Sequence, residues 1–282
     1  MDANREDTSA PDDAKELHEH VRTVDKHFTV LNNRYLNVYG DVIEASRTSD
    51  PGEMLAYLAT NAGIEDGMTL LDAGCGVCGP ARFFASKFNV QIDAITATRI
   101  QSEIAAQKNK EGGLDSRIKV FCGDFHQLPE YYPANSYDVV YFFESFCHSY
   151  DIHKVIEGVR TVLKPGGTLY LKDWFLAERL KAKDPQKHMN VMRRINEFYS
   201  FNFKDGINEL SAVTAYLNAN GFHVEFGRTP GYEKGDYELT ALFHGNHEIY
   251  GPNNEYQDNN LSGDIQDVFD VIEIFELKAV KL

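Results

Sequence analysis

Apolar residues follow two patterns that alternate along the chain. Short, nearly continuous apolar runs are typical of strands buried in a sheet, whereas apolar positions that recur every three or four residues are typical of helices. This alternation predicts an α/β fold with a doubly wound, mostly parallel sheet, because parallel strands are joined by helical crossovers. The seven predicted strands are residues 68–71, 90–95, 118–122, 137–143, 168–175, 222–226 and a segment within 271–280.

Four regions lie outside this alternation. The first residues are polar and acidic without periodicity, and the helical stripe that follows continues from Ala14 to Ala45. After the fifth strand comes a segment rich in charge and aromatic residues, and a later one carries many glycines and prolines. The predicted division is a mobile tail (1–14), an N-terminal helical cap or lid (15–62) and a core (63–282) with insertions at about 176–208 and 230–263.

The charge balance narrows the class of partner. The formal net charge is −15, from 28 Lys and Arg against 43 Asp and Glu, so a nucleic acid backbone would be repelled over most of the surface. No apolar run approaches the ~20 residues of a membrane span, and the N-terminus lacks the layout of a signal peptide. The sequence predicts a cytoplasmic protein that binds a small molecule, with no nucleic acid partner and no membrane span, and it leaves open whether the chain forms a homo-oligomer.

The most informative stretch is TLLDAGCGVCGPA at residues 69–81. It predicts a strand that ends at Asp72, a glycine turn and a helix start that offers free N–H groups to an anionic ligand group. An ordinary strand-to-helix turn is the alternative. Cys75 and Cys78 form a C-x-x-C, but no second pair exists, so we predict no metal site here.

The ends of the next two predicted strands carry polar groups suited to a nucleoside. Thr96 and Gln101 follow the second strand, where many cofactor folds place a ribose contact, although a plain strand end is the alternative. Asp124 and Phe125 follow the third strand. The carboxylate is suited to accept from an adenine amino group and the ring to cover the base, although Asp124 alone is also typical of a turn.

The fourth predicted strand ends in YFFESFCHSYD. Glu144 follows a buried apolar run, where a carboxylate without a partner is costly, and His148 comes four residues later. Both side chains are therefore predicted to face one cavity as candidate catalytic groups. A capping glutamate and a histidine satisfied within the core are the alternatives.

The order of these motifs resembles the sterol, tocopherol and prenyl C-methyltransferase group of class I S-adenosylmethionine (SAM) dependent methyltransferases. The resemblance covers about residues 24–224 and includes VLKPGG at 162–167 and the Glu-x-x-Cys-His arrangement that ends at His148. It implies a Rossmann-like fold and SAM as the cofactor. The cofactor-binding residues that it implies, together with the strand ends above, are Asp72, Gly74, Cys75, Gly76, Thr96, Gln101, Asp124 and Phe125.

This resemblance implies methyl transfer to an alkene carbon of an isoprenoid or prenyl-bearing small molecule, as in terpenoid secondary metabolism. Such a reaction leaves a carbocation that aromatic faces stabilise and that is then deprotonated or cyclised, with Glu144 or His148 as the base. An O- or N-methyltransferase and a non-catalytic SAM-binding regulator are the alternatives. The predicted substrate contacts are Tyr35, Tyr39, Phe146, Trp174, Phe175, Tyr199 and Phe201.

Overall fold

The computed structural model describes residues 10–177, 179–232, 249 and 265–282. Within them, seven strands form one sheet in the order β3-β2-β1-β4-β5-β7-β6. Neighbouring strands are parallel except that β7 runs antiparallel to both β5 and β6. The strands are β1 (Thr69–Ala73), β2 (Gln91–Thr96), β3 (Ile118–Cys122), β4 (Tyr137–Phe143), β5 (Leu163–Leu176), β6 (Phe222–Arg228) and β7 (Ile272–Lys281). This confirms the predicted Rossmann-like α/β fold.

Helices flank both faces of the sheet and extend beyond it at the N-terminus. The element from 128 to 131 is a single turn, and the others are longer. The helices are α1 (Ala10–Tyr39), α2 (Pro51–Ala62), α3 (Gly79–Lys87), α4 (Arg99–Glu111), α5 (Leu128–Tyr131), α6 (Ile152–Val162), α7 (Arg179–Lys183), α8 (Pro185–Tyr199), α9 (Leu210–Ala219) and α10 (Ile265–Val271). None of these helices is long and apolar enough to cross a membrane.

Strand β4 lies at the centre of the core and is buried on both faces. Val140 and Phe142 contribute to one apolar cluster, whereas Val139 and Tyr141 contribute to the cluster on the opposite face. Successive side chains of a strand point to opposite faces, so a continuous apolar run is what a doubly covered strand requires.

The first helix differs from its prediction at both ends. It begins at Ala10, inside the segment predicted as a mobile tail, and it ends at Tyr39 rather than near Ala45. Gly40 has φ of +67° and donates its N–H to the carbonyl of Leu36, which is a left-handed helix end that glycine favours. Residues 40–47, which we call the strap, are therefore not helical and cross the carboxyl edge of the sheet.

The structure describes the first of the two predicted insertions and only a small part of the second. The one at 176–208 contains α7 and α8, and the buried face of α8 packs with Trp174 of β5 and Val271 of α10. The tail residues 1–9 and most of the predicted loop at 230–263 lie outside the described residues.

Candidate active site

Two adjoining cavities lie where β1, β2 and β4 end. Chain order reverses between β1 and β4, and open α/β sheets bind ligands in the crevice at such a point. The polar cavity is lined by these strand ends, by α1 and by the strap. Seven predicted cofactor residues line it: Asp72, Gly74, Cys75, Gly76, Thr96, Gln101 and Phe125.

Asp124 is the predicted cofactor residue that does not line the polar cavity. Its Oδ1 accepts hydrogen bonds from the backbone N–H of His126 at 2.9 Å and from His126 Nδ1 at 2.5 Å. The carboxylate thus begins a short 3₁₀ turn that places the neighbouring Phe125 ring against the cavity. A contact between Asp124 and an adenine group stays a prediction.

Asp72 is buried at the end of β1 with 3% of its surface exposed. Burial raises the pKa of Asp72 to about 8, and the charge of Glu44 adds to that rise. The hydroxyl of Tyr141 opposes the rise without forming a hydrogen bond of normal geometry, so Oδ2 has no hydrogen-bond partner among the described residues. A buried carboxyl oxygen without a hydrogen-bond partner favours a ligand that donates a hydrogen bond to it.

Glycine is required at two positions around the turn after β1 because neighbouring segments pack directly against the backbone there. Gly74 has φ of +89°, and a Cβ there would lie 2.3 Å from Cβ of Ser145, in the loop after β4. A Cβ on Gly79 would lie 2.0 Å from the carbonyl oxygen of Asp41. The bare backbone at these two positions therefore lets the β4 loop and the strap approach the turn closely.

The strap closes one side of the polar cavity, and the sequence did not predict it. Asp41 accepts from Arg82 at 2.8 Å and from Lys108 at 2.7 Å, which fixes the strap to α3 and α4. Further along, the backbone N–H groups of Ala45 and Ser46 donate to the Glu144 carboxylate at 2.8 and 2.9 Å. The strap is thus held from both sides of the cavity.

Glu144 lies between the two cavities and lines both. Its φ of +49° is uncommon for a residue with a side chain, and such backbone conformations often occur at functional sites. Besides the two strap N–H groups, its carboxylate accepts from Trp174 Nε1 at 3.2 Å and from Lys172 Nζ. Four donors therefore fix the orientation of this carboxylate.

Lys172 is fully buried on β5 and completes this network. Its ammonium donates to Glu44 Oε2 at 2.8 Å, to the carbonyl of Ser46 and to Glu144. Burial lowers the pKa of Lys172, but the two carboxylates outweigh it and the net shift is upward. The site contains a buried ammonium between two carboxylates, one from the core and one from the strap.

His148 also lines both cavities and is buried. Its Nδ1 lies 2.9 Å from the carbonyl oxygen of Ser200, which can only accept, so Nδ1 carries the proton and Nε2 the lone pair. Burial lowers the pKa of His148 to about 4. Its imidazole is therefore neutral near pH 7, and the rings of Phe28 and Phe201 pack edge-on against it.

The aromatic cavity lies beyond Glu144 and His148, which line it as well. Helix α1 contributes Tyr35 and Tyr39, whose rings stack with centroids 6.1 Å apart. Opposite them, the rings of Tyr199 and Phe201 stack at 5.4 Å. Five predicted substrate residues line this cavity: Tyr35, Tyr39, Trp174, Tyr199 and Phe201.

The other two predicted substrate residues lie elsewhere. Phe175 follows Trp174 on β5 and therefore points to the opposite face of the sheet, where its ring packs against Phe275. Phe146 lies in a 3₁₀ turn after β4 and packs edge-on against Phe142 in the same cluster. Neither residue is part of the substrate contacts that we propose below.

Part of the chain is similar in sequence to known methyltransferases. Residues 71–171 match the family model described as a methyltransferase domain. The 24-methylenesterol C-methyltransferase 2 of Arabidopsis thaliana is 36% identical over 132 residues, which cover 47% of this chain and 36% of that protein. A sterol 24-C-methyltransferase of Aspergillus fumigatus is 33% identical over 172 residues, which cover 60% of this chain and 43% of that protein.

A solved structure shows the same fold. The geranyl diphosphate C-methyltransferase of Streptomyces coelicolor A3(2), in complex with Mg²⁺, geranyl-S-thiolodiphosphate and S-adenosyl-L-homocysteine, matches with a TM-score of 0.72 at 13% identity. The match covers 93% of this chain and 98% of that chain.

Residues 71–171 thus match a methyltransferase domain, and these findings confirm the predicted resemblance to the SAM-dependent C-methyltransferases and the predicted cofactor, SAM. The matched segments cover less than half the length of the two sterol enzymes above.

Proposed function

We propose that the protein is a SAM-dependent C-methyltransferase that methylates an alkene carbon of an isoprenoid or prenyl-bearing small molecule. The observation that carries this proposal is the shared boundary of the two cavities. Glu144 and His148 line both, so a methyl donor in the polar cavity and an acceptor in the aromatic cavity would meet beside them. Two of the similar proteins are sterol C-methyltransferases, which supports transfer to carbon.

The residues of the polar cavity fit SAM. The orphan Asp72 oxygen is suited to a ligand donor, Thr96 and Gln101 to hydroxyl groups, and the Phe125 ring to the face of a base. When bound, SAM supplies an electrophilic methyl group on a sulfonium. The protein has to hold the alkene in line with that methyl group and to exclude water.

The aromatic cavity fits an apolar acceptor. Its described lining contains no lysine or arginine that could pair directly with a diphosphate group. Methylation of an alkene leaves a carbocation on the acceptor, and the rings of Tyr199, Phe201 and Trp174 offer faces that stabilise it without donating a lone pair. The acceptor is thus expected to place its alkene, rather than a charged group, between these rings.

His148 and Glu144 have different roles in this proposal. His148 Nε2 carries a lone pair and is suited to remove the proton from the carbon beside the cation, which leaves an alkene in the product. Glu144 is occupied by four donors, so we assign it electrostatic stabilisation of the nearby cation rather than proton removal. Cyclisation of the cation before deprotonation is compatible with the same arrangement.

Mass spectrometry tests the proposal. The protein is incubated with SAM that carries a labelled methyl group and with a panel of sterols, prenyl diphosphates, prenylated aromatic compounds and amines. We expect the label on a carbon of a neutral isoprenoid. Label confined to oxygen or nitrogen would favour an O- or N-methyltransferase, and SAM binding without transfer to any acceptor would favour a non-catalytic SAM-binding regulator.

A further inference from the structure

Glu44 is a buried carboxylate that the reaction outlined above does not use. It lies on the strap, lines the polar cavity and has 2% of its surface exposed. Its Oε2 accepts from Lys172 Nζ at 2.8 Å. Its Oε1 is also buried and makes no hydrogen bond to any residue that the structure describes.

The described donors nearest to Glu44 are engaged with other acceptors. The Lys172 ammonium has three donors, and they go to Glu44 Oε2, to the Ser46 carbonyl and to Glu144. The strap N–H groups of Ala45 and Ser46 donate to Glu144 instead. The Lys172 ammonium is thus shared between two buried carboxyl groups, and the Arg47 guanidinium, which also acts on the pKa of Glu44, donates to the carbonyls of Tyr39 and Val42.

Asp72 brings a second buried oxygen of the same kind to this cavity. Its Oδ2 makes no hydrogen bond within the described chain, and the charge of Glu44 raises the pKa of Asp72, so the two carboxyl groups lie close enough to interact. Buried carboxyl oxygens without a partner are costly, and two of them beside one cavity favour a ligand with several hydrogen-bond donors. An ammonium group has three donors, whereas a sulfonium has none.

We propose that Glu44 is a cofactor-binding residue whose Oε1 accepts a hydrogen bond from the α-ammonium group of the methionine part of SAM. This role rests on the proposed function, since it requires SAM in the polar cavity. It makes the strap part of the binding site rather than only a cover, because the strap carries the charge that recognises the amino acid end of the ligand.

Binding of three related ligands tests this role by calorimetry. SAM and S-adenosylhomocysteine both carry the α-ammonium, whereas 5′-methylthioadenosine lacks the whole amino acid part. In Glu44→Gln we expect the affinities for SAM and S-adenosylhomocysteine to fall by a similar factor of about 10 to 100, and the affinity for 5′-methylthioadenosine to stay as in the wild type. Glu53→Gln removes an exposed carboxylate and should change none of the three.

Other results would overturn the role of Glu44. Equal loss for all three ligands would show that Glu44 only holds the strap in place. Loss for SAM alone would indicate a contact with the sulfonium, and no loss would remove Glu44 from the site. If Glu44→Gln does not fold, the same affinities are measured in Glu44→Asp, which keeps the charge but shortens the side chain. Wild-type protein that binds none of the three ligands would refute the cofactor site itself, a result distinct from the others.

Discussion

The two cavities differ in how they are built. The polar cavity is lined by strand ends and by a strap whose side chains and backbone are held by ion pairs and hydrogen bonds. The aromatic cavity is lined mainly by rings from α1 and from the end of α8, elements that are far apart in sequence and pack against each other. Hydrogen bonds and ion pairs thus position the groups around the polar cavity, whereas packed rings define the shape of the aromatic cavity.

Because the two cavities are built differently, substitutions should affect SAM binding and acceptor binding separately. A change in the aromatic cavity should affect the acceptor and spare SAM binding, and the residues shared by both cavities should affect transfer more than either binding step. The following substitutions test that separation from the largest expected effect to the smallest.

The largest effect is expected for His148→Ala. It removes the proposed base from the boundary, so the rate of methyl transfer should fall by about 10²- to 10⁴-fold while SAM affinity changes little. Single-turnover rates and calorimetry measure the two quantities. His223→Ala, which removes an exposed histidine on β6, serves as the control. A normal rate in His148→Ala would contradict the assignment of the base.

Glu144→Gln should give the next largest effect. It removes the charge that we assign to cation stabilisation, so the transfer rate should fall by about 10²- to 10³-fold. Glu103→Gln, which changes an exposed carboxylate on α4, should retain the full rate. If Glu144→Gln instead loses SAM affinity and keeps its rate at saturating SAM, the residue acts through the strap and not on the acceptor.

Phe201→Leu should have a moderate effect confined to the acceptor side. The substitution keeps most of the volume but removes a ring face, and a cation–π contact contributes about 0.5 to 2 kcal/mol, so transfer should slow by about 2- to 30-fold. Steady-state kinetics at saturating SAM measures this change. Phe121→Leu, at an exposed ring on β3, should behave as wild type. An equal loss of SAM affinity in Phe201→Leu would contradict the separation of the two cavities.

A separate effect, on stability rather than on transfer, is expected from Asp72. Its pKa of about 8 in the folded protein lies above the ordinary value of an unfolded aspartate, about 4. The folded state therefore binds more protons between these values, and Asp72 lowers the free energy of unfolding as the pH rises from about 4 to about 8. Denaturant unfolding of Asp72→Asn at several pH values should show a smaller decrease over this range, whereas Asp115→Asn should keep the wild-type slope.

The sequence predicted the core of the fold and much of the polar cavity. Its strand ends, such as Asp72 and Glu144, follow local apolar runs, and the carboxyl ends of parallel strands meet at one edge. The aromatic cavity was predicted less completely, since a helical stripe shows which residues are apolar but not what they face. The sequence does show that Trp174 and Phe175 cannot both line one cavity, because neighbouring side chains on a strand point to opposite faces.

The strap was missed because apolar positions continue to Ala45 with helical spacing. Gly40 followed by Asp41 is a helix-end signal that would have placed the boundary correctly. The buried ion pair of Lys172 with Glu44 could not be predicted, since its partners come from distant parts of the chain. The sequence does carry an unused signal, because two charged residues within an apolar strand, Lys172 and Asp173, need buried partners.

Trp174 is the only tryptophan of the chain, and its indole N–H donates to Glu144 at the boundary of the two cavities. The intrinsic fluorescence of the protein therefore arises mainly from one position beside the proposed reaction centre. A ligand that enters either cavity changes the polarity around this indole and hence its emission. Stopped-flow fluorescence of the unlabelled protein can thus time the arrival of cofactor and acceptor separately.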